Sequence, residues 1–309
     1  MPYVLGIDIG GTSTLAAVAR PQGAGWAPPE VVRLGDSAAA VPSVLHLRRN
    51  GSVDVGEATG GPDGDRTARD FCHRVGDDVP LLLGGEACTP QALTAVLARW
   101  VVEQVTAQEY GPPGCVVLSH PSGWGPYRVG LLRQALHEID LGHVTLLPQA
   151  VTVAESHAAR GGGFDTAAVY TLGGSTFEGC VVRRTRRGIF ELVGVAQRLE
   201  PTGGADFDEA LAEHVRTVLG REFRDLADPR IRQPLLGLAA ECARAKRELS
   251  VATETDVMLR LPDGPARIPV TRAAFEEMIE PAVRATVAVL SRAVRAAGLG
   301  PEQLDAVLL

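Results

Sequence analysis

Four things are missing from this 309-residue chain: a Cys-x-x-Cys pair, histidines at metal-ligand spacing, a membrane-length apolar run and an excess of positive charge. Its five cysteines (Cys72, Cys88, Cys115, Cys180, Cys242) are scattered and its seven histidines do not pair, so neither a disulfide framework nor a zinc site is indicated. Scattered free thiols suit a reducing compartment, and the cytoplasm is the expectation. The N-terminus opens directly into a strand, without a basic n-region or cleavage site, so no export signal is expected and no membrane span is encoded. A net charge of −7 argues against nucleic acid or anionic membrane as partner, because neither polyanion would be attracted overall. A small molecule or another protein is the expected partner. With 45% hydrophobic residues the chain can bury a sizeable core, and its length suggests two lobes.

What is present is concentrated in two glycine turns, Gly6-Ile-Asp-Ile-Gly-Gly-Thr12 and Leu172-Gly-Gly-Ser-Thr-Phe-Glu178. Each follows an apolar run (Tyr3 to Ile9, Ala167 to Leu172) and leads into another (Leu15 to Ala19, Gly179 to Val182), which predicts two β-hairpins. Glycine at the bend lets backbone N–H groups approach an anion, and Thr12, Ser13, Ser175 and Thr176 add hydroxyl donors, so each turn can cradle phosphate. One such hairpin alone is an ordinary tight turn. Two with the same grammar point to a nucleotide gripped from two sides.

Between and beyond the turns the pattern alternates. Val41 to Leu47 reads as a strand, and Gly60 to Asp65 as a loop. Pro90 to Gln108 reads as a helix with Leu93, Leu97, Trp100, Val101 and Val105 near one face, and Cys115 to Ser119 as a buried strand. Pro126 to Ile139 is helical, Val144 to Leu147 a strand and Val151 to Arg160 a helix; Gly161 to Gly163 marks the expected boundary between a lobe of residues 1–162 and one of 163–309. Arg183 to Arg187 reads as a solvated hairpin tip. A helix follows Gly203 with Phe207, Leu211, Val215 and Val218 inward, then helices over Leu235 to Ser250 and Thr271 to Ala297, the last interrupted by Pro281. Gln303 to Leu309 begins a strand.

These landmarks, with His120-Pro-Ser-Gly123, Gly203-Gly-Ala-Asp-Phe-Asp208, Ala245-Lys-Arg-Glu-Leu-Ser250 and Ile268 to Glu276, resemble the nucleotide-binding domain of the 70-kDa heat-shock chaperones of the DnaK type along the whole chain. The resemblance implies an α/β actin-like ATPase (ribonuclease H-like) fold, two lobes of mixed sheets flanked by helices around a nucleotide cleft. It implies ATP or ADP as ligand, a possible Mg²⁺, and a protein partner or co-chaperone. Asp8 then matches the aspartate that holds Mg²⁺ through water, Gly10, Gly11, Thr12 and Ser13 the first phosphate turn, and Gly173, Gly174, Ser175 and Thr176 the second. Gly203 and Gly204 match glycines lying against the nucleotide; Lys246, Arg247 and Ser250 match the adenosine clamp. On a helix, Lys246 and Ser250 are four apart and share a face with Arg247, whose guanidinium can stack on adenine. A sugar kinase is the nearest rival, since many begin with the same Gly-Ile-Asp-Ile-Gly-Gly-Thr string.

The chain departs from the family pattern where chemistry is carried. The family's γ-phosphate lysine aligns with Cys72, and a local slip would offer His73 or Arg74 instead. A loop glutamate aligns with Gln149, the aspartate opening the second turn with Thr171, and the one closing it with Glu178, which with Asp8 is the candidate catalytic carboxylate. Two further glutamates become Ala205 and Ala243. Phosphoryl transfer is mostly positioning and charge neutralisation, so these losses favour nucleotide binding with weak or absent hydrolysis, a slow but working chaperone ATPase being the alternative. Because the strand Asp305 to Leu309 runs in the family into a further adenine-covering turn, the resemblance also implies a chain incomplete at its C-terminus.

Overall fold

The computed structural model describes residues 2–35, 38–56, 64–220, 229–261 and 264–309. The chain divides into two compact units: one of Met1–Thr171, Cys180–Ala196 and Ala293–Leu309, the other of Leu172–Gly179 and Gln197–Arg292. Among the described residues, no helix is long and apolar enough to cross a membrane.

The first unit is built on a mixed six-stranded sheet. Its centre is β1 (Val4–Ile9), flanked by antiparallel β2 (Ser13–Ala19) on one side and parallel β3 (Cys115–His120) on the other, with β4 (Thr145–Pro148) parallel beyond β3. The apolar runs become strands because alternate side chains bury: Leu5, Ile7, Val18, Val116 and Leu118 are all nearly inaccessible. They pack with Leu97, Val101 and Val105 of α1 (Pro90–Gln108) and Leu132 and Leu136 of α2 (Pro126–Glu138). Each helix starts with proline at a first-turn position, where the missing N–H costs no intrahelical bond. Thr89 also caps α1 by accepting from Ala92 N at 3.3 Å. The next helix, α3 (Gln149–Ala159), begins straight out of β4. Its Ala150 and Ala154 pack with Ala167, Val169, Cys180, Val182, Phe190 and Leu308. These last residues belong to a four-stranded sheet made of β5 (Thr166–Leu172), β6 (Phe177–Arg184), β7 (Phe190–Leu199) and β10 (Ala306–Leu308), in the order β7-β6-β5-β10.

The second unit packs α4 (Gly204–Leu219) and α5 (Pro229–Leu249) onto the hairpin β8 (Glu254–Leu261) and β9 (Gly264–Thr271). Phe207, Leu211, Val215, Leu238, Cys242, Val257, Leu259, Ile268 and Val270 form its core. The remaining helix, α6, runs from Arg272 to Ala296.

Several sequence expectations change. Val41 to Leu47 is not one strand: Val41–Pro42 pairs with β2, while Leu45–Leu47 joins a separate three-stranded sheet. Pro42 offers no N–H to continue a ladder. Val218 is 57% exposed, so the buried stripe of α4 ends at Val215. Helix α6 passes through Pro281 without interruption; Pro281 and Glu277, whose carbonyl loses its partner, are both exposed, so the missing bond falls on the solvent side. Part of the loop read at Gly60 to Asp65 lies outside the described residues.

Candidate functional site

Both glycine turns close the same way. Gly10 N donates to Ser13 O at 3.0 Å between β1 and β2, and Gly173 N donates to Thr176 O at 2.9 Å between β5 and β6. A second glycine, Gly11 or Gly174, follows in each. The first turn is anchored from below: Ser43 N donates to Thr12 O at 3.0 Å, and the hydroxyls of Thr14 and Ser43 share a buried bond of 2.9 Å.

Beside the first turn, β1 presents Asp8. Two neutral donors converge on its Oδ1, the Ser119 hydroxyl and Gln149 Nε2, the latter at 2.9 Å. Ser119 reaches it because β3 is the parallel neighbour of β1, with Ile7 opposite Leu118. Gln149 reaches it from the first residue of α3, whose Ala150 N–H is capped by the Ser122 hydroxyl at 2.9 Å. The His120-Pro-Ser-Gly123 segment thus holds the end of α3 that carries Gln149. His120 itself is buried and stacks on Trp124, ring centroids 5.8 Å apart. Asp8, Ser119, Gln149 and Thr171 line a single cavity of about 500 Å³, completed by apolar groups such as Leu15 and Val153. Of the expected chemistry-bearing positions, Asp8, Gln149 and Thr171 are therefore brought together. Ser119 was not singled out from the sequence, though a serine closing an apolar strand beside the aspartate strand is a readable signal.

Cys72 is placed elsewhere. It sits 5% exposed in the core among Phe71, Val75 and α1, and burial pushes its thiol up to about 12, against a weaker opposing hydrogen bond from Thr94. It is a neutral thiol at pH 7, and the Asp70 and Asp8 carboxylates add to the upward push of burial. The adjacent His73 is the residue that meets the first turn: a Cβ on Gly11 would lie 2.0 Å from His73 Nε2.

In the second unit, the turn Gly173 to Thr176 rests on the start of α4. Gly204 N donates to Gly173 O at 2.9 Å, Ala205 N to Gly174 O at 2.7 Å and Thr202 N to Ser175 O at 3.3 Å. In a planar trans peptide the N–H points opposite to the C=O, so the amides of Gly174, Ser175 and Thr176 are directed away from α4. Backbone amides directed this way are available to an anion. Ser175 Oγ is buried without a hydrogen-bond partner among the described residues, as expected of a donor reserved for a ligand. Gly203 is required by space: a Cβ there would lie 2.6 Å from the backbone of Gly174 and Ser175. Lys246 of α5 joins the group, donating to Gly204 O at 2.6 Å and pairing with Asp208 at 2.7 Å. Arg247 and Ser250 are exposed beside it, and Glu178 is buried on β6 just past the turn. Among the described residues, no group of three or more His, Cys, Asp or Glu is arranged to hold a metal ion.

Residues 159–309 match the family described as Hsp70 protein. The chain is 26% identical to the chaperone protein DnaK of Thermotoga maritima and 28% identical to a chaperone protein HscA homolog of Acidithiobacillus ferrooxidans, over 99% of its own length in each case. The chain thus resembles the Hsp70 family, through the family match over residues 159–309 and through these chaperones along its whole length. The α/β architecture above is accordingly that of an actin-like ATPase nucleotide-binding domain. The chain spans about half the length of the curated relatives it matches, 52% of the DnaK and 51% of the HscA homolog.

Proposed function

We propose that this chain is an Hsp70-type nucleotide-binding domain that binds ATP or ADP through the Gly10 to Ser13 and Gly173 to Thr176 turns, with hydrolysis near background. The observation that carries the reading is the repeated turn, closed twice by the same backbone bond, with the Ser175 hydroxyl of the second copy buried and without a hydrogen-bond partner among the described residues. In this reading residues 1–162 and 163–309 are the two lobes of the domain, Gly203 and Gly204 back the phosphates, and Lys246, Arg247 and Ser250 hold adenosine. A protein partner or co-chaperone then responds to the bound nucleotide. The cytoplasm is the compartment proposed, in keeping with five free cysteines.

The donor set fits a magnesium ion. Asp8 is a hard oxygen ligand, and its hydrogen bonds from Ser119 and Gln149 both fall on Oδ1, so that Oδ2 can serve metal-bound water. A bound Mg²⁺ would neutralise phosphate charge there. What the chain supplies around it is weak for turnover. Gln149 gives Asp8 an amide donor where the family has a carboxylate, Thr171 brings a neutral hydroxyl to the same cavity, and Cys72 carries no charge. Glu178 is the carboxylate left to serve the second turn. Calorimetric titration with ATP and ADP, with Mg²⁺ and with chelator, should show binding of both, and phosphate release should stay at background. No heat from either nucleotide would refute the site; release at the rate of an ordinary family member would refute the second half.

A further inference from the structure

We propose that His73 is the side chain of this chain that contacts the nucleotide's phosphates at the first glycine turn, through Nε2. The inference rests on the nucleotide reading above and deepens it.

His73 lies in a short 3₁₀ turn, Cys72–Arg74, closed by Arg74 N donating to Phe71 O at 3.0 Å. The turn has little freedom to rotate, because Phe71 and Val75, which bracket it, are both 0% exposed in the core and Cys72 is buried with them. With those three side chains turned inward, the next residue is directed at the hairpin between β1 and β2. The ring arrives edge-on with nitrogen foremost: from the position a Cβ would take on Gly11, Nε2 is 2.0 Å away, Cδ2 2.6 Å and Cε1 3.2 Å. Glycine at position 11 permits that approach, and any Cβ there would make the ring swing aside. A nitrogen edge pressed onto the turn that offers backbone amides to an anion adds a side-chain donor to the same ligand. An imidazole N–H to phosphate is a charge-assisted bond, stronger than a neutral one.

The test is ADP and ATP binding by calorimetry to the parent and to His73→Ala, His73→Gln and His73→Lys, with thermal melts of all four. His73→Ala should bind both nucleotides about 10- to 100-fold more weakly, the scale of one hydrogen bond to a charged group. His73→Lys should restore affinity to within about 3-fold, and His73→Gln should fall between. Unchanged or tighter binding by His73→Ala would overturn the proposal and mark the ring as a plug over the turn. So would a loss that neither lysine nor glutamine repairs, which is the signature of a purely structural residue. A parent that binds no nucleotide would instead sink the nucleotide reading itself.

Discussion

Gly203→Ala should be among the most damaging single-methyl additions this fold can receive, and its cost can be worked from the contact. The backbone of Gly203 is extended, with φ −170°, so its conformation suits any residue; only space demands glycine. The added Cβ would stand 2.6 Å from Gly174 C, Gly174 O and Ser175 N, all main-chain atoms with no side chain to swing aside. Restoring ordinary contact needs a separation of about 0.8 Å or more. Such a shift stretches the bonds now at 2.7 and 2.9 Å from Ala205 N and Gly204 N beyond hydrogen-bonding range. Two lost backbone bonds at about 1 kcal/mol each, added to an overpacking penalty of about 1–3 kcal/mol, give roughly 3–5 kcal/mol. At about 2 °C or more per kcal/mol, the melting temperature should fall by at least about 6 °C, with a matching drop in urea midpoint. Gly11→Ala is the control. Its Cβ would come even closer, 2.0 Å, but to the far end of the His73 side chain, which can rotate away. Stability should move by less than about 1 kcal/mol there, while ADP affinity falls as in His73→Ala. A Gly203→Ala protein that melts with its parent, or a Gly11→Ala protein damaged equally, would refute the reasoning.

Two further outcomes follow from charge and burial. Cys72→Lys, the obvious restoration of the family's lysine, should destabilise the chain by several kcal/mol in thermal melts, because an ammonium would replace a neutral thiol in the core; His73→Lys should melt close to the parent. The Arg20 guanidinium, bonded to both Glu109 oxygens at 2.9 and 2.6 Å, holds that carboxyl below its usual range. A lowered folded-state value means stabilisation that is complete above the ordinary carboxylate range and lost as pH falls through the lowered one. Glu109→Gln should therefore cost about 0.5–1 kcal/mol at pH 7, discounted for the half-exposed arginine, and urea curves of the two proteins should converge as the pH falls below the ordinary carboxylate range.

Much of the fold could be read from apolar runs and helix starts, because burial and capping are local signals. β1, β3 and β5 are alternating or continuous apolar segments, and α1 was bounded by proline on entry and loss of periodicity on exit. The hairpin of β8 and β9 escaped because Gly264, Pro265 and Pro269 break the look of a strand, though a two-stranded ribbon leaves one edge of each strand free of ladder bonds. Pro281 misled for the converse reason: a proline lowers helix propensity, but a long amphipathic helix packed along one face can absorb it on the other.

At the site, residue types were legible and their orientation was not. Asp8, Gln149 and Thr171 could be aligned by motif, whereas the hydroxyl of Ser119 on the same carboxylate depends on which strand lies beside β1, a long-range fact. The choice between Cys72 and His73 is a case where alignment and physics disagree and local patterning decides. Phe71, Cys72 and Val75 are the apolar members of Asp70-Phe-Cys-His-Arg-Val-Gly76, so a turn packed on the core must bury those three and turn His73 and Arg74 outward. Arg74 is then drawn off by Asp77, at 3.2 Å, and by the Val79 carbonyl, at 3.0 Å. That leaves His73 as the group in this segment laid against Gly11. A functional position inherited by alignment can thus move by one residue when the burial pattern of its turn changes, and the charge that served the old position must be sought at the residue the core does not claim.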